Sequence, residues 1–284
     1  MTTAPQTSEP IQPPAAAAAA TAGPPAAPAP ATSEPIVELR DICKRFGPLV
    51  VLDGVSLKVQ KGKCLIVMGA SGSGKSVLLK HIVGLLKPDR GEVWFSGQRI
   101  DNLAQRKFQA VRGNFGFLFQ SGALFDSMTV SQNVAFPLVE HTQKPAREID
   151  DIVHHKLAMV GLPDISAKWP AELSGGQRKR VALARAIALD PEVILYDEPT
   201  TGLDPIRADI INELIIKLQH ELHVTSIVVT HDMASAFKIA DRIVMLYESK
   251  LVFDGTPRQV QETDNDIVHR FVIGRATPEE LASL

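Results

Sequence analysis

One stretch decides the fold: Gly69-Ala70-Ser71-Gly72-Ser73-Gly74-Lys75-Ser76. It has the pattern G-x-x-x-x-G-K-S, which binds phosphate when it joins a strand to a helix. The apolar run Cys64–Met68 before it predicts a strand buried on both faces, and a helix is predicted after it as far as about Leu86. Because glycines let backbone N–H groups turn toward phosphate oxygens, we interpret the stretch as a phosphate-binding loop rather than a flexible Gly/Ser connection.

The side chains in and around this loop predict which groups meet the phosphates. Lys75 is expected to reach the β- and γ-phosphates, and the Ser76 hydroxyl to ligate Mg²⁺. Two carboxylates, Asp197 and Glu198, follow the apolar strand Val193–Tyr196. We expect Asp197 to hold magnesium through water and Glu198 to polarise the attacking water. An acidic turn is the alternative interpretation, and the phosphate loop upstream disfavours it.

Length and composition limit the class of protein. The chain has 284 residues, of which 45% are hydrophobic, so it is long enough for one large domain with a full core. Its net charge of −2 gives no field that favours nucleic acid or anionic lipid. Cys43 and Cys64 do not make a disulfide framework and suit a reducing compartment. No apolar run approaches the ~18 residues of a membrane span, and no Lys or Arg precedes Arg40, so no signal peptide is predicted.

The composition along the chain predicts three segments. Residues 1–34 are rich in Ala and Pro and are interpreted as a disordered tail, with a partner-docking arm as the alternative. Residues 35–260 are predicted to form an α/β domain, because apolar strands alternate with helices and polar residues follow the strand ends. A helical insertion is expected at about 121–190, and a C-terminal helical tail at 261–284.

Short patterns predict further strands. Apolar residues alternate with polar ones from Val55 to Gln60, which is typical of a half-buried strand. An antiparallel sheet is therefore expected before about residue 110, mixed with the first unit of a parallel one. The remaining predicted strands are Glu92–Phe95, Gly97–Ile100, Ser226–Thr230, Ile243–Tyr247 and a hairpin strand Leu251–Gly255.

A second motif narrows the class. Leu173-Ser174-Gly175-Gly176-Gln177 resembles the signature motif of ABC transporter ATPases, and the order of motifs from Ile36 to Gly255 is similar to that family's. The resemblance implies a P-loop NTPase core with a parallel sheet, an N-terminal antiparallel β subdomain and a helical signature subdomain. Ser174 and the glycines would begin a helix, whose N-terminus favours anions. The resemblance further implies that this end meets ATP held by the phosphate loop of a second copy.

Other positions match the remaining elements of that family. The resemblance implies that Phe46 stacks on adenine in a place where Tyr is usual, and that Gln120 senses magnesium and water. It implies that Asp204 lies in a loop at the dimer interface, and that His231 contacts the γ-phosphate and orients Glu198. ATP and Mg²⁺ are the expected cofactors. The expected metal site comprises Ser76, Gln120 and Asp197.

The stretch after Gln120 resembles one branch of the family. Gly122–Asp126, followed by Asn133–Leu138 and Glu140–Thr142, is similar to the ATPases of the Mla/MCE phospholipid transport systems. That likeness implies a peripheral protein at the cytoplasmic face of a bacterial inner membrane, bound to an integral permease. It also implies an MCE-domain protein and, in some systems, a STAS-domain protein as partners, with no nucleic acid.

Three other functions remain as alternatives. An ABC ATPase for another small solute would share the phosphate loop and the signature, whereas the stretch Gly122–Asp126 favours the phospholipid branch. A soluble ABC-type protein acting on DNA or ribosomes is disfavoured, because the chain has no long heptad run and only one ATPase domain. A regulator without turnover is disfavoured by the presence of Lys75, Asp197, Glu198 and His231. The basic run Arg178, Lys179, Arg180 and Arg185 is interpreted as a solvated helix face rather than a nucleic-acid stripe.

Overall fold

The structure is a computed structural model that describes Met1 and residues 34–275, so the interpretation of residues 2–33 and 276–284 lies outside the described part of the chain. Strands and helices alternate along it. The strands are β1 Pro35–Phe46, β2 Leu49–Gln60, β3 Cys64–Met68, β4 Arg90–Phe95, β5 Gln98–Arg99, β6 Phe115–Leu118, β7 Val193–Asp197, β8 Thr225–Thr230, β9 Arg242–Tyr247 and β10 Lys250–Gly255. The helices are α1 Lys75–Ile82, α2 Gln105–Arg112, α3 Val130–His141, α4 Ala146–Met159, a 3₁₀ turn at Pro170–Glu172, α5 Gly175–Ala186, α6 Pro205–Leu222, α7 Met233–Ile239, α8 Pro257–Glu262 and α9 Asp266–Ile273.

The strands form two sheets. The first is antiparallel, with the order β2-β1-β4-β5. The second has the order β10-β9-β3-β8-β7-β6, in which the five strands from β9 to β6 are parallel and β10 returns antiparallel to β9. Carboxyl ends of neighbouring parallel strands lie at one edge of a sheet, which is where open α/β sheets bind ligands. The fold class predicted from the sequence is therefore confirmed.

Two cores cover the two faces of the parallel sheet, and β3 supplies both. Ile66 and Met68 pack in the core shared with the helical region, while Leu65 and Val67 pack in the core shared with α1 and the antiparallel sheet. A strand buried on both faces must be apolar at every position, which explains its unbroken hydrophobic run. The loop that follows β3 therefore starts from a strand that is packed on both faces.

The helical region lies between β6 and β7. Two of its three α-helices begin with capping boxes, in which Thr129 and Gln132 open α3 and Ser174 and Gln177 open α5. Each box satisfies backbone N–H groups that have no partner inside the helix. The start of the signature helix is thus fixed by the signature residues themselves.

Two predictions of local structure were wrong. The helix after the phosphate loop ends at Ile82 rather than near Leu86, because Gly84 adopts a left-handed φ of 62° with the Phe108 ring against its Cα. The sequence interpretation also missed β6, whose four residues include Gly116. A Cβ at Gly116 would lie 2.5 Å from the Ala186 carbonyl oxygen, so that strand accepts only glycine there.

The C-terminal helices pack onto the domain. Val260 of α8 and Val268 of α9 are buried in the core that the helical region shares. Within the described residues, no helix combines the length and the apolar character needed to cross a bilayer.

Candidate functional site

The phosphate loop, residues 69–76, joins the end of β3 to the start of α1. Gly74 is the N-cap of α1 and has a φ of 99°, and a Cβ there would lie 2.8 Å from the Val51 carbonyl oxygen. Gly69 is more tightly enclosed, because its Cβ would lie 2.3 Å from the Leu246 carbonyl oxygen. The glycines therefore let the loop curl back over β2 and β9, and within it the Ser73 N–H donates to the Ala70 carbonyl oxygen at 3.2 Å. A glycine-rich loop of this kind can aim N–H groups at an anion.

Lys75, the first residue of α1, lies inside this curl. Its Nζ donates to the carbonyl oxygens of Gly69 at 2.8 Å and Ala70 at 2.9 Å, and lies 3.9 Å from Glu198 Oε1. Burial lowers the pKa of Lys75, while the nearby Glu198 and Asp197 carboxylates act in the opposite direction. The ammonium therefore lies between the loop backbone and the carboxylates, within reach of a ligand in the loop.

Ser76 and Asp197 form the second contact of the site. Ser76 Oγ donates to Asp197 Oδ1 at 2.7 Å, which joins the start of α1 to the end of β7. The Ser76 hydroxyl and the Asp197 carboxylate both offer hard oxygen ligands. Mg²⁺ prefers ligands of this type when it keeps several waters and binds substrate phosphates. This pair fits the predicted metal role, although the described residues contain no cluster of three or more His, Cys, Asp or Glu side chains that could hold a metal unaided.

Glu198 is held from two sides. His231 Nδ1 lies 2.8 Å from Glu198 Oε2, and Thr201 Oγ1 donates to the same oxygen at 3.0 Å. Glu198 itself has a left-handed φ of 50°, which is uncommon for a residue with a Cβ and is frequent at functional sites. His231 reaches it because β8 lies beside β7 in the sheet. The sequence analysis did not identify Thr201, which has no motif of its own.

A cavity of about 540 Å³ brings Lys75, Ser76, Glu198 and His231 together. Gln120, which follows β6, also lines this cavity. An unexpected wall is α9, which contributes Arg270 and Phe271, followed by Gly274. The cavity-lining residues from the phosphate loop and the strand ends are Ala70, Ser71, Gly72, Lys75, Ser76, Glu198 and His231. Five separate chain segments thus surround one cavity.

The signature residues lie elsewhere. Ser174 Oγ accepts from the Gln177 N–H at 3.3 Å, and Gln177 Oε1 accepts from the Ser174 N–H at 3.0 Å. Ser174, Gly176 and Gln177 line a small cavity with Arg207 and Ile210 of α6, and none of these residues lines the phosphate cavity. One copy of the chain therefore does not bring the signature to its own phosphate loop.

Phe46 and Asp204 are also outside the phosphate cavity. Phe46 is 46% exposed at the end of β1, with Lys44 Nζ 5.5 Å from its ring centroid. Asp204 caps α6 by accepting from the Arg207 N–H at 3.0 Å. Each has a local structural partner and a free surface.

The interpretation of the basic run on α5 as a solvated helix face was wrong for Lys179, whereas Arg178 is exposed. Lys179 is buried rather than solvated, and Nζ donates to three backbone carbonyl oxygens of the turn at residues 198–201. Arg185 donates at 2.8 Å to the carbonyl oxygens of both Gly122 and Ala123. A helical pattern cannot distinguish such inward cations from solvated ones, because both stand on a polar face.

Comparison with known proteins identifies the family. A family described as ABC transporter matches residues 52–201. The chain is 44% identical over 241 residues to the intermembrane phospholipid transport system ATP-binding protein MlaF of Haemophilus influenzae, covering 85% of this chain and 91% of that protein. The corresponding figures for MlaF of Escherichia coli K12 are 42%, 85% and 90%. This chain belongs to the ABC transporter ATPases, and ATP hydrolysis is its activity.

Solved structures agree with this assignment. A dimeric ATP-binding cassette, MJ0796, bound to ADP and Pi superposes with a TM-score of 0.72 and 33% identity, covering 78% of this chain and 99% of that one. The cbiO1 subunit from Clostridium perfringens superposes with a TM-score of 0.75 and 28% identity, covering 89% and 100%. The resemblance drawn from the phosphate loop and the signature is thereby confirmed. A further relative is the probable ribonucleotide transport protein mkl of Mycobacterium tuberculosis H37Rv, 43% identical over 84% of this chain and 67% of its own length.

Proposed function

We propose that this ATPase powers phospholipid transport between bacterial membranes through a separate integral permease. The observation that carries the proposal is the 44% identity with a phospholipid transport ATPase over 91% of that protein's length. The segment Gly122–Asp126, which resembles the same branch, supports it. The phospholipid is the cargo of the permease and needs no site on this chain.

Glu198 is the proposed general base of hydrolysis. Its carboxylate takes the proton of the attacking water, and the hydrogen bonds from His231 and Thr201 fix its direction. Lys75 pairs with the β- and γ-phosphates while it remains bound to the loop backbone. Gln120, which lines the same cavity, contacts the attacking water and the metal in this proposal.

The proposed metal ligands are Ser76, Asp197 through water, and Gln120. A bound Mg²⁺ supplies charge neutralisation at the β- and γ-phosphate oxygens. The hydroxyl and carboxylate that would hold it already lie 2.7 Å apart in a hydrogen bond. Asp197 is 8% exposed, which keeps competing water away from that bond.

The working unit proposed is a dimer with two shared ATP sites. The signature of one copy, Ser174–Gln177, meets the nucleotide held by the phosphate loop of the other, with Asp204 beside the interface and Phe46 on the adenine. Two observations support this arrangement. The signature lines a different cavity from the phosphate loop, and the MJ0796 cassette related to this chain is a dimer.

An aromatic cleft is the proposed docking surface of the permease. It has a volume of about 460 Å³, and the rings of Phe125 and Phe136 lie with centroids 4.8 Å apart in its wall. Asn133 is buried and holds in place the loop of residues 121–129. Its amide accepts from the Phe125 N–H and donates to the carbonyl oxygens of Phe125, Met128 and Thr129. Gln120 lies just before this loop, so a partner in the cleft acts close to the catalytic water. The likeness to phospholipid systems further supports MCE- and STAS-domain partners at a cytoplasmic membrane face.

A second candidate cargo comes from the mkl relative, whose printed description is ribonucleotide transport. Its 43% identity is close to the value for MlaF, but this chain spans only 67% of it. Transport of another small solute is therefore the alternative.

Purification of the membrane complex through a tag on this chain separates the two functions. We expect an integral permease, an MCE-domain protein and tightly held phospholipid, together with ATP-dependent transfer of labelled phospholipid between vesicles. The matched control is the complex with Glu198→Gln, which should retain its subunits and lipid without transfer. A complex that contains a solute-binding protein and stimulates hydrolysis with ribonucleotide, not lipid, would overturn the phospholipid assignment.

A further inference from the structure

Lys179 is a buried lysine whose contacts are all with backbone. Its residue exposure is 6%, and Nζ lies 2.7 Å from the carbonyl oxygens of both Pro199 and Thr201 and 3.3 Å from that of Glu198. An ammonium has three N–H donors and no acceptor. The three carbonyl oxygens therefore match its full donor set. Burying a charge is costly, so these three hydrogen bonds are what stabilise the ammonium in this position.

These carbonyls belong to one turn, residues 198–201, which we call the catalytic turn. Glu198 begins it with a left-handed φ of 50°, a conformation that is uncommon for a residue with a Cβ. The Glu198 N–H donates to the Val229 carbonyl oxygen at 2.9 Å, and the Thr201 N–H donates to the Glu198 carbonyl oxygen at 3.3 Å. Lys179 donates to the carbonyl oxygens of Glu198, Pro199 and Thr201. The side chain therefore ties the catalytic turn to helix α5.

We propose that Lys179 is a positioning residue for ATP hydrolysis, whose ammonium fixes the catalytic turn and thereby the direction of the Glu198 carboxylate. The proposal rests on the proposed role of Glu198 as the general base. It acts without contact to nucleotide, because Lys179 does not line the phosphate cavity.

The position of Lys179 on α5 gives this contact a second consequence. Ser174, the N-cap of the same helix, belongs to the signature that would meet ATP on the other copy. Glu198 acts on the ATP of its own copy. One rigid helix and one side chain therefore connect a protomer's contact with its partner's nucleotide to the geometry of its own base.

The charges around Lys179 predict how the contact responds to pH. Burial lowers its pKa to about 8, and the Glu198 carboxylate acts in the opposite direction. The flanking guanidinium groups are turned away, since Arg178 donates to the Leu173 carbonyl oxygen and Arg180 to that of Gly161. On α6, Arg207 pairs with Asp204.

Deprotonation removes one of the three donors. The neutral amine keeps two N–H groups and presents a lone pair to a carbonyl oxygen, so the catalytic turn loses one of its bonds. Hydrolysis should therefore fall as the pH rises through about 8. Lys75 also has a lowered pKa and lies 3.9 Å from the Glu198 carboxylate, so its titration must be separated from that of Lys179.

The test measures kcat and KM for ATP of the full-length protein across neutral and alkaline pH. Lys179→Met should lower kcat by about 10- to 100-fold and change KM by no more than about twofold, because nucleotide contacts are intact. Lys179→Arg, which remains charged, should retain most of kcat and move the alkaline fall to higher pH. The matched control is Lys156→Met, which removes another buried lysine that pairs with Asp190 and should leave the alkaline fall in place.

The following results decide whether Lys179 positions Glu198. A kcat and pH profile of Lys179→Met like those of the wild type would overturn the inference. So would an alkaline fall that stays in place in Lys179→Arg, since that assigns it to another group such as Lys75. If Lys179→Met does not fold, the profile of Lys179→Arg decides alone. Glu198→Gln, measured beside them, tells the two proposals apart: full turnover there defeats the base itself, whereas an inactive Glu198→Gln with an unaffected Lys179→Met defeats only the positioning role.

Discussion

The phosphate loop and the signature each precede a helix N-terminus, but different groups surround the two N-termini. At the start of α1, Lys75, Ser76, Glu198 and His231 line one cavity, and Ser76 donates to Asp197. At the start of α5, Ser174 is exposed, and its hydroxyl and its N–H both bond Gln177. The first region is a nearly complete set of hydrolytic groups. The second is a capped helix end, whose use depends on something outside the chain.

This difference fits the proposed dimer, in which the phosphate site forms within one copy and the signature is completed by a second copy. The phosphate site is built from neighbouring strand ends, which the sheet positions without help. The signature is built by a capping box, which fixes a helix start but brings no second group to it. A shared site between two copies satisfies both regions at once.

The largest effect is expected at Glu198. Glu198→Gln preserves volume and removes the base, so ATP hydrolysis should fall by about 10²- to 10⁴-fold while nucleotide binding is retained. The variant should accumulate as an ATP-bound dimer in gel filtration with ATP. Turnover at the wild-type rate would show that Glu198 is not the base.

The next effect tests whether the signature works across copies. Ser174→Arg should reduce hydrolysis by about 10²-fold or more, because a bulky cation replaces a helix cap, while ATP still binds to the isolated subunit. Nucleotide affinity and ATPase rate are the measurements.

A mixture of the two inactive variants sharpens this comparison. In a dimer of Ser174→Arg with Glu198→Gln, one shared site has an intact base from the first copy and an intact signature from the second. Mixing should therefore restore hydrolysis that neither variant shows alone. A mixture that stays inactive would contradict a site shared between copies.

A smaller effect is expected at Phe46. Phe46→Ala removes an aromatic face worth about 0.5–1.5 kcal/mol, so KM for ATP should rise by roughly 2- to 12-fold with kcat little changed. Phe46→Tyr keeps the ring and serves as the control. Equal KM values for all three proteins would remove Phe46 from the adenine site.

The smallest effect is expected from the Ala/Pro-rich N-terminal segment. Deletion of residues 2–34 should leave the ATPase rate within about twofold, because that composition favours a chain without a packed core. An inactive truncation would contradict the interpretation of this segment as a disordered tail.

The sequence predicted the phosphate site well because each part of it is local. The loop 69–76 carries its own pattern, and Asp197, Glu198 and His231 stand directly after apolar strands whose sheet order brings them together. The roles of these side chains stay predictions, whereas their proximity is a property of the fold.

What could not be predicted depends on distant contacts. Lys179 is polar by type and buried by its neighbours, so periodicity on α5 gave the wrong environment. The early end of α1 depends on Phe108, which lies on another helix. Thr201 and the wall formed by α9 have no pattern that a single sequence reveals.

The contribution of α9 to the phosphate cavity has a practical side. Arg270, Phe271 and Gly274 border the space beside the phosphate loop, and Arg275 follows at its rim. A fluorophore attached at position 275 would start beside the nucleotide rather than at a remote end, and its emission would report occupancy directly.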